Sequence, residues 1–399
     1  MTIDAAHIHE WLTRQALPLW SHAGYDDMAG GFVECLTLDG KPLFDRDKRM
    51  RVQARQIYVY SHAHRLGWTP PAGGPSALDV ARGGYEFLTR HYWRVGSGGF
   101  VFSTTRDGTP ADTRIEAYEQ AFALYAFAWY HRASGDPDAL TWAERTLAFL
   151  DENLADPAHG GYFENPAHDL PRRQNPHMHL LEALLALHGA TADTAYLDRA
   201  RVIIDLFRTR FLDPGTGTLG EFFAADWATA PGTAGQTVEP GHHFEWVWLL
   251  RRYAEASGAD MRVEADALYA FAMAHGSDHV PGPAQGLAFD SVLRSGEDVR
   301  LGHGTSLDDN KRLWVQTEAI KAQLARLEDG HDTNAAGHLE LLLDRLFGLY
   351  LAVGRGNWQD HLDTNGRGFA ETVPASSFYH LFLCLTEVLR VRDQRTDLC

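Results

Sequence analysis

The sequence predicts an all-α fold, an (α/α)6 barrel of six helix-hairpin repeats with short β-hairpins at one end. Three observations carry that prediction. A Gly-rich turn, an aromatic residue and a long apolar stretch recur in that order six times, with the aromatics at Phe32, Phe100, Tyr162, Phe222, Phe289 and Trp358. Their separations are 68, 62, 60, 67 and 69 residues, and a sixth of the 399-residue chain is about 66, so one supersecondary unit fills the chain. The apolar stretches are of two kinds. Leu140–Leu150 carries apolar residues at helical spacing with charges on the other face, whereas Phe122–Tyr130 is apolar nearly all round. Amphipathic helices alternating with enclosed ones imply two concentric layers.

The elements follow in order. The first repeat reads as a helix near 6–20, a turn and strand near 28–44 and a helix near 50–66. Outer helices are predicted near 77–92, 137–154, 193–211, 260–276 and 333–352. Inner helices are predicted near 114–133, 176–189, 241–256, 311–327 and 375–391. Asp136-Pro137, Asn175-Pro176 and Pro240-Gly241 stand at helix starts, where proline forfeits no intrahelical hydrogen bond. Gly30-Gly31, Gly98-Gly99 and Gly160-Gly161 precede their aromatics and suit tight turns with positive φ. Ala224–Gly235 reads as a longer loop. No linker divides the chain, so residues 1–399 read as a single catalytic domain.

Composition narrows the function. Hydrophobic content of 45%, with 11% aromatics, is ample for a large core. The balance of 36 basic against 53 acidic residues leaves a formal charge of −17, which disfavours nucleic acid and anionic membranes as partners. The start, Met1 to His7, shows no secretory signal, and the longest apolar runs fall short of a membrane span of about 18 residues. Three cysteines, Cys35, Cys384 and Cys399, with no Cys-x-x-Cys, fit a reducing cytoplasm. A homodimer is compatible with this reading.

A closed ring of repeats has a centre, and equivalent positions converge on it. Near the starts of the inner helices stand Arg55, Tyr118, His179, His242, Glu318 and His380. A polar group heading an apolar helix is expected to face a cavity, because burying it elsewhere is costly. Histidines with carboxylates and an arginine suit proton transfer on a neutral, hydroxyl-rich molecule. In Glu239-Pro240-Gly241-His242-His243-Phe244-Glu245-Trp246, His242 and Glu245 share a helix face, so Glu245 is expected to orient the imidazole. His243 diverges by about 100°, and His242 is preferred because Glu245 and Trp246 lie on its side.

Metal chelation finds little support. His62/His64 and His177/His179 are two apart, roughly 200° around a helix, and no His-Glu-x-x-His occurs. No metal or other cofactor is expected, and no nucleotide-binding glycine motif is present.

With these residues assembled, the chain resembles the N-acylglucosamine 2-epimerase superfamily from about residue 28 to 390. The motifs that carry the resemblance are Val52-Gln53-Ala54-Arg55-Gln56, Asn175-x-x-Met178-His179, Pro240-Gly241-His242-x-x-Glu245-Trp246, Trp314-x-x-x-Glu318 and Tyr379-His380. Trp358-Gln359-x-x-Leu362-Asp363 looks most like the metal-free D-mannose isomerases. The resemblance implies acid/base roles for His242 and His380, with Arg55 near the sugar oxygens. On this reading His242 assists ring opening, His380 moves the C2 proton and Arg55 stabilises an enediolate. Glu245 and Glu318 would orient the histidines. Asn175, His179, Trp314 and Trp358 would hold a monosaccharide, with Trp246 beside His242 and Tyr118 toward the sugar's far end. The rival readings are a sugar 2-epimerase using His242 and His380 on opposite faces of C2, a glycoside hydrolase using two carboxylates, and a non-catalytic binding module.

Overall fold

The computed structural model describes residues 4–71, 73–296, 310–330 and 332–394, so Met1–Ile3 and Cys399 lie outside the described residues. Six inner helices, Met50–Arg65, Ala117–Ser134, Asn175–Thr191, Pro240–Ser257, Leu313–Asp329 and Ser376–Gln394, form the wall of the barrel. Outer helices pack around them. The first runs from Ala5–Glu10 through a π-helical stretch, Trp11–Ala16, into Leu17–His22. The others are Ala77–His91, Asp138–Asn153, Ala195–Leu206 continued by Phe207–Phe211, Arg262–His275, and Ala335–Arg345 continued by Leu346–Tyr350. The fold is an (α/α)6 barrel.

The two kinds of apolar stretch become the two layers. Ala117–Ser134 buries every residue from Ala117 to Ala128, as a helix enclosed on all sides must. Asp138–Asn153 buries one face, Ala139, Ala143, Thr146, Leu147, Phe149 and Leu150, and leaves its charges outside. Gly135, Gly258 and Gly330 end three inner helices in the left-handed conformation that closes a helix at least cost. The 224–235 segment is less irregular than expected, because Gly232–Gln236 forms a short helical turn.

A side chain from each of the first five inner helices clips the backbone of the turn that precedes it. Gln53 accepts from Phe32 N at 2.7 Å and donates to Phe32 O at 2.8 Å. Gln120 does the same to Phe100, and Gln316 to Ala288. His177 Nε2 accepts from Tyr162 N, and His243 Nε2 from Leu219 N. The clipped residues correct the sequence beat. In the fourth and fifth repeats they are Leu219 and Ala288, not the aromatics Phe222 and Phe289. The turn selects a backbone position, and an aromatic side chain is only a common occupant of it. On the sixth helix Phe378 takes the clip's place and stacks on Trp358 at 5.7 Å.

The hairpins link neighbouring repeats and close the ring. Lys48–Arg49 pairs with Ser103–Thr104, Arg172–Arg173 with Phe222–Phe223, and Lys311–Arg312 with His361–Leu362. The last repeat meets the first where Cys35–Thr37 pairs with Thr372–Pro374 and Ala375 N donates to Glu34 O at 3.0 Å.

Candidate active site

Each inner helix presents three residues toward the axis, roughly one turn apart. Two residues before the clip position stand Arg51, Tyr118, Asn175, Gly241, Trp314 and Ser376, at the hairpin end. Two residues after it stand Arg55, Phe122, His179, Glu245, Glu318 and His380. Three further on stand Tyr58, Tyr125, Glu182, Trp248, Lys321 and Leu383. The middle level is a connected ring. The Arg55 guanidinium lies 4.3 Å from the Phe122 ring, Phe122 lies 4.5 Å from His179, and His179 Nδ1 lies 3.9 Å from Glu245. Glu318 and His380 continue it at 2.9 Å.

Above this ring lies a cavity of about 630 Å³ lined by Arg55, Trp314, Asp360, Ser376, Ser377 and His380, with Arg49 and Arg312 at its edge. Trp314 sits between the two motif histidines, its ring 5.2 Å from His242 and 5.7 Å from His380. Gly241 makes room for it, since a Cβ there would lie 2.5 Å from the indole. A larger cavity of about 870 Å³, lined by His9, Leu12, Trp68, Phe382, Leu389 and Asp393, lies at the other ends of the first and sixth inner helices, and among the described residues its lining holds no buried histidine–carboxylate pair.

The two histidines are held in opposite protonation states. His242 Nδ1 donates to Glu221 at 2.9 Å, and Glu239 lies 3.7 Å away. Burial pulls the imidazole down, but Glu221 and Glu239 outweigh it and hold His242 up at about 10. Asn175 faces its other nitrogen at 3.2 Å. The atom facing it is Nδ2; a half-turn of the amide would present Oδ1, which lacks a hydrogen-bond partner, to a protonated Nε2. His380 Nδ1 donates to Glu318 at 2.9 Å in the same manner, yet burial, Arg55, Lys321 and His179 hold it well below the ordinary histidine value. The two imidazoles are thus shifted in opposite directions, the division that an acid and a base in a proton-transfer site require. Arg55 donates to Tyr118 at 3.0 Å and stands by the same cavity.

Beneath the middle level, Glu182 accepts from His179 at 3.1 Å and from Tyr379. Burial opposes its ionisation, but those hydrogen bonds hold its carboxyl below the usual range. Burial pushes Glu245 well up, beside the charge of Glu318. Burial also holds His179 down at about 4, against the pull of Glu182.

Of the sequence-predicted residues, Arg55, Tyr118, Asn175, His179, Glu245, Trp314, Glu318 and His380 lie on the two axial levels, and His242 stands beside them. The structure moves two others away. Trp246 is fully buried behind the site, donates to Gln174 at 2.8 Å and stacks on Phe207 of an outer helix at 4.3 Å. Three residues past the clip, it points outward rather than to the axis. Trp358 is likewise fully buried, stacked between Trp20 at 4.9 Å and Phe378. The partner of His242 is also corrected: it is Glu221 from the preceding hairpin, whereas Glu245 faces His179. Neither His242 nor Tyr118 is the repeat equivalent of His380; Glu245 and Phe122 are.

Glu221, Glu239, Glu182 and Lys321 were not foreseen. Glu221 had a signal. Two residues after the corrected turn positions stand Glu34, Phe102, Glu164, Glu221, Asp290 and Asp360, five carboxylates in six repeats. In the first, third and fifth repeats they pair with Arg49, Arg173 and Arg312. In the fourth, the partner is His242. Two groups, His179/Glu182/Glu245 and Glu221/Glu239/His242, bring ligand atoms within 4.8 Å of one another, the spacing a cation would need, and hydrogen bonds already join several of those atoms.

A family model described as N-acylglucosamine 2-epimerase (GlcNAc 2-epimerase) matches residues 30–384. A Rhizobium meliloti protein named mannose-6-phosphate isomerase is 35% identical, covering 97% of this chain and 97% of its own. A cellobiose 2-epimerase of Bacteroides fragilis is 28% identical over 77% of this chain and 78% of its own. Among solved structures, a D-mannose isomerase superposes with a TM-score of 0.82 at 22% identity over 96% of each chain.

Proposed function

Because the chain belongs to the N-acylglucosamine 2-epimerase family and is an enzyme of the isomerase class, we propose that it interconverts an aldose and a ketose of the mannose–fructose type, without a metal, on a monosaccharide. One observation carries the choice: a histidine kept protonated, His242, and a histidine kept neutral, His380, stand on either side of Trp314, which lines one cavity with His380 and Arg55.

The steps follow from those states. His242 donates a proton to the ring oxygen as the C1–O5 bond breaks, and it takes back the proton that the anomeric hydroxyl releases as C1 becomes a carbonyl. His380 Nε2 then takes the C2 proton, the C–H electron pair becomes the C1–C2 double bond, and negative charge moves onto O1. Arg55 stabilises that enediolate by charge-assisted hydrogen bonds. The O2 proton passes to O1 and His380 returns its proton to C1, leaving the carbonyl at C2. Asn175, His179 and Trp314 hold the sugar, and residues 1–399 act as one catalytic domain.

A C2 epimerase is the second reading, favoured by the likeness to cellobiose 2-epimerases. It needs two groups that exchange acid and base roles between the forward and reverse reactions. The carboxylates around His242 resist that exchange, since they keep it protonated. The relative named for a sugar phosphate raises a third question, and we read the substrate as unphosphorylated: the edge arginines Arg49 and Arg312 already face Glu34 and Asp290.

Mannose incubated with the enzyme in D2O and followed by NMR tests this. Fructose is the expected product, with deuterium at C1 to the extent that the His380 proton exchanges with solvent before it returns. Glucose deuterated at C2, with no fructose, would transfer the reading to the epimerase.

A further inference from the structure

The two histidine–carboxylate dyads share one geometry and differ in what stands behind the carboxylate. In each, Nδ1 lies 2.9 Å from a buried carboxylate oxygen. Behind Glu221 stand the neutral amide of Gln174 at 3.0 Å and a second carboxylate, Glu239. Behind Glu318 stands Lys321, its Nζ 2.6 Å from the outer oxygen, with neither side chain exposed. Lys321 also lies 4.2 Å from the Trp248 ring. A fully buried lysine is costly unless paired. The fold does not demand one at this level, because the other five helices carry Tyr58, Tyr125, Glu182, Trp248 and Leu383 there.

We propose that Lys321 is a positioning residue for His380: its ammonium cancels the charge of Glu318, so that carboxylate orients the His380 ring without drawing a second proton onto it. Lys321 touches no substrate; it acts through Glu318. Burial works against its charge, but Glu318, Glu245 and Glu182 hold it above the ordinary lysine value. The other groups facing His380 are Arg55 from the first inner helix, His179 and Glu182 from the third, Trp314 from the fifth and Tyr379 on its own helix; Glu245, from the fourth, lies beside Glu318 and Lys321. From the hairpin, Asp360 is tied to Ser377 at 2.6 Å. Arg55 also pushes the imidazole down, but it stands at the cavity and is engaged by substrate. Lys321 supplies the same influence from below, before and after substrate binds.

The proposal rests on the isomerase reading for its activity measurement alone; the other measurement needs no turnover. In unliganded protein labelled with [15N]histidine, the His380 signals are assigned by their loss in His380→Ala and followed against pH. Lys321→Met is expected to let His380 protonate about one pH unit or more above wild type. Lys321→Met combined with Glu318→Gln should return it close to wild type, because no uncompensated carboxylate remains. The acid limb of kcat/KM for mannose should move up in pH with Lys321→Met, lowering the rate on the acid side about tenfold while KM stays within about twofold. Should Lys321→Met fail to fold, Lys321→Gln carries the same test. A His380 that protonates at the wild-type pH in the single variant, or a shift that persists in the double variant, overturns the proposal. Absence of isomerase activity in wild type would sink the functional reading and leave the titration intact.

Discussion

At the scale of single residues, the site is defined by charge placed out of contact with the reacting atoms. His242 is held protonated because Glu221 and Glu239 face it, and removing either should change when it lets go of its proton. We predict that Glu221→Gln moves the alkaline limb of kcat/KM to lower pH. His242 must be protonated to act, its folded value is raised to about 10, and losing the carboxylate lowers that value. The limb should fall by about one pH unit or more, with a loss of about tenfold on its alkaline side. An alkaline limb unchanged in Glu221→Gln would remove the imidazolium from the mechanism. The two histidines proposed to react were legible as candidates because each stands near the start of an apolar helix that has no other use for an ionisable group. Their partners were less so. Glu221 sits in a hairpin whose beat was read three residues late, at Phe222 rather than Leu219, so its kinship with Glu34 and Glu164 was hidden. Lys321 follows Glu318 at i+3, a spacing that on most helices marks an exposed ion pair. Trp246 and Trp358 drew attention as platforms for a sugar, yet both are core residues, because a large aromatic beside a motif says nothing of which way it points.

At the scale of the helix, the clip explains how an apolar rod keeps its rotation. A helix buried all round has no polar face to set its angle, so one side chain tied to the adjoining turn must do so. Gln120 shows the cost of losing it. Its amide satisfies both the N–H of Phe100 at 2.8 Å and its carbonyl at 2.9 Å, with neither residue exposed. Gln120→Leu leaves both groups dry and unpaired, each at about 1–3 kcal/mol, so we expect a loss of about 3 kcal/mol in chemical denaturation. Turnover per folded molecule should stay within about twofold of wild type. A variant as stable as the parent would show that the turn holds itself. Histidine substitutes for glutamine in the third and fourth repeats. Burial keeps His177 at about 3 and His243 at about 4, so each ring remains an acceptor for the turn's N–H. Helix spans were readable because the apolar period fixes them. The clips were not, since Gln53, Gln120 and Gln316 resemble ordinary polar residues until their distance to the turn is known.

At the scale of the whole molecule, a threefold pattern overlies the sixfold ring. Five residues before the clip position stand Lys48, Arg172 and Lys311 in the odd repeats, and Ile115, Val238 and Val373 in the even ones. Each cation is buried against an aspartate of its own turn: Asp26 at 3.2 Å, Asp156 at 2.6 Å and Asp278 at 3.2 Å. The arginines one residue further on stand at the hairpin end and meet Glu34, Glu164 and Asp290. The positive charge at that end is thus largely spent on the protein's own carboxylates, while the molecule as a whole carries −17. A neutral sugar meets no barrier from such a field, but a phosphate ester arrives as a like charge with committed arginines at the edge of the cavity. Mannose 6-phosphate should therefore have a kcat/KM at least about tenfold below that of mannose. The gap should narrow as salt rises from about 0.01 to 0.3 M, because screening relieves the repulsion on the ester and leaves mannose unaffected. A kcat/KM that is higher for the ester, and falls with salt, would mean that the edge arginines release their carboxylates to bind substrate.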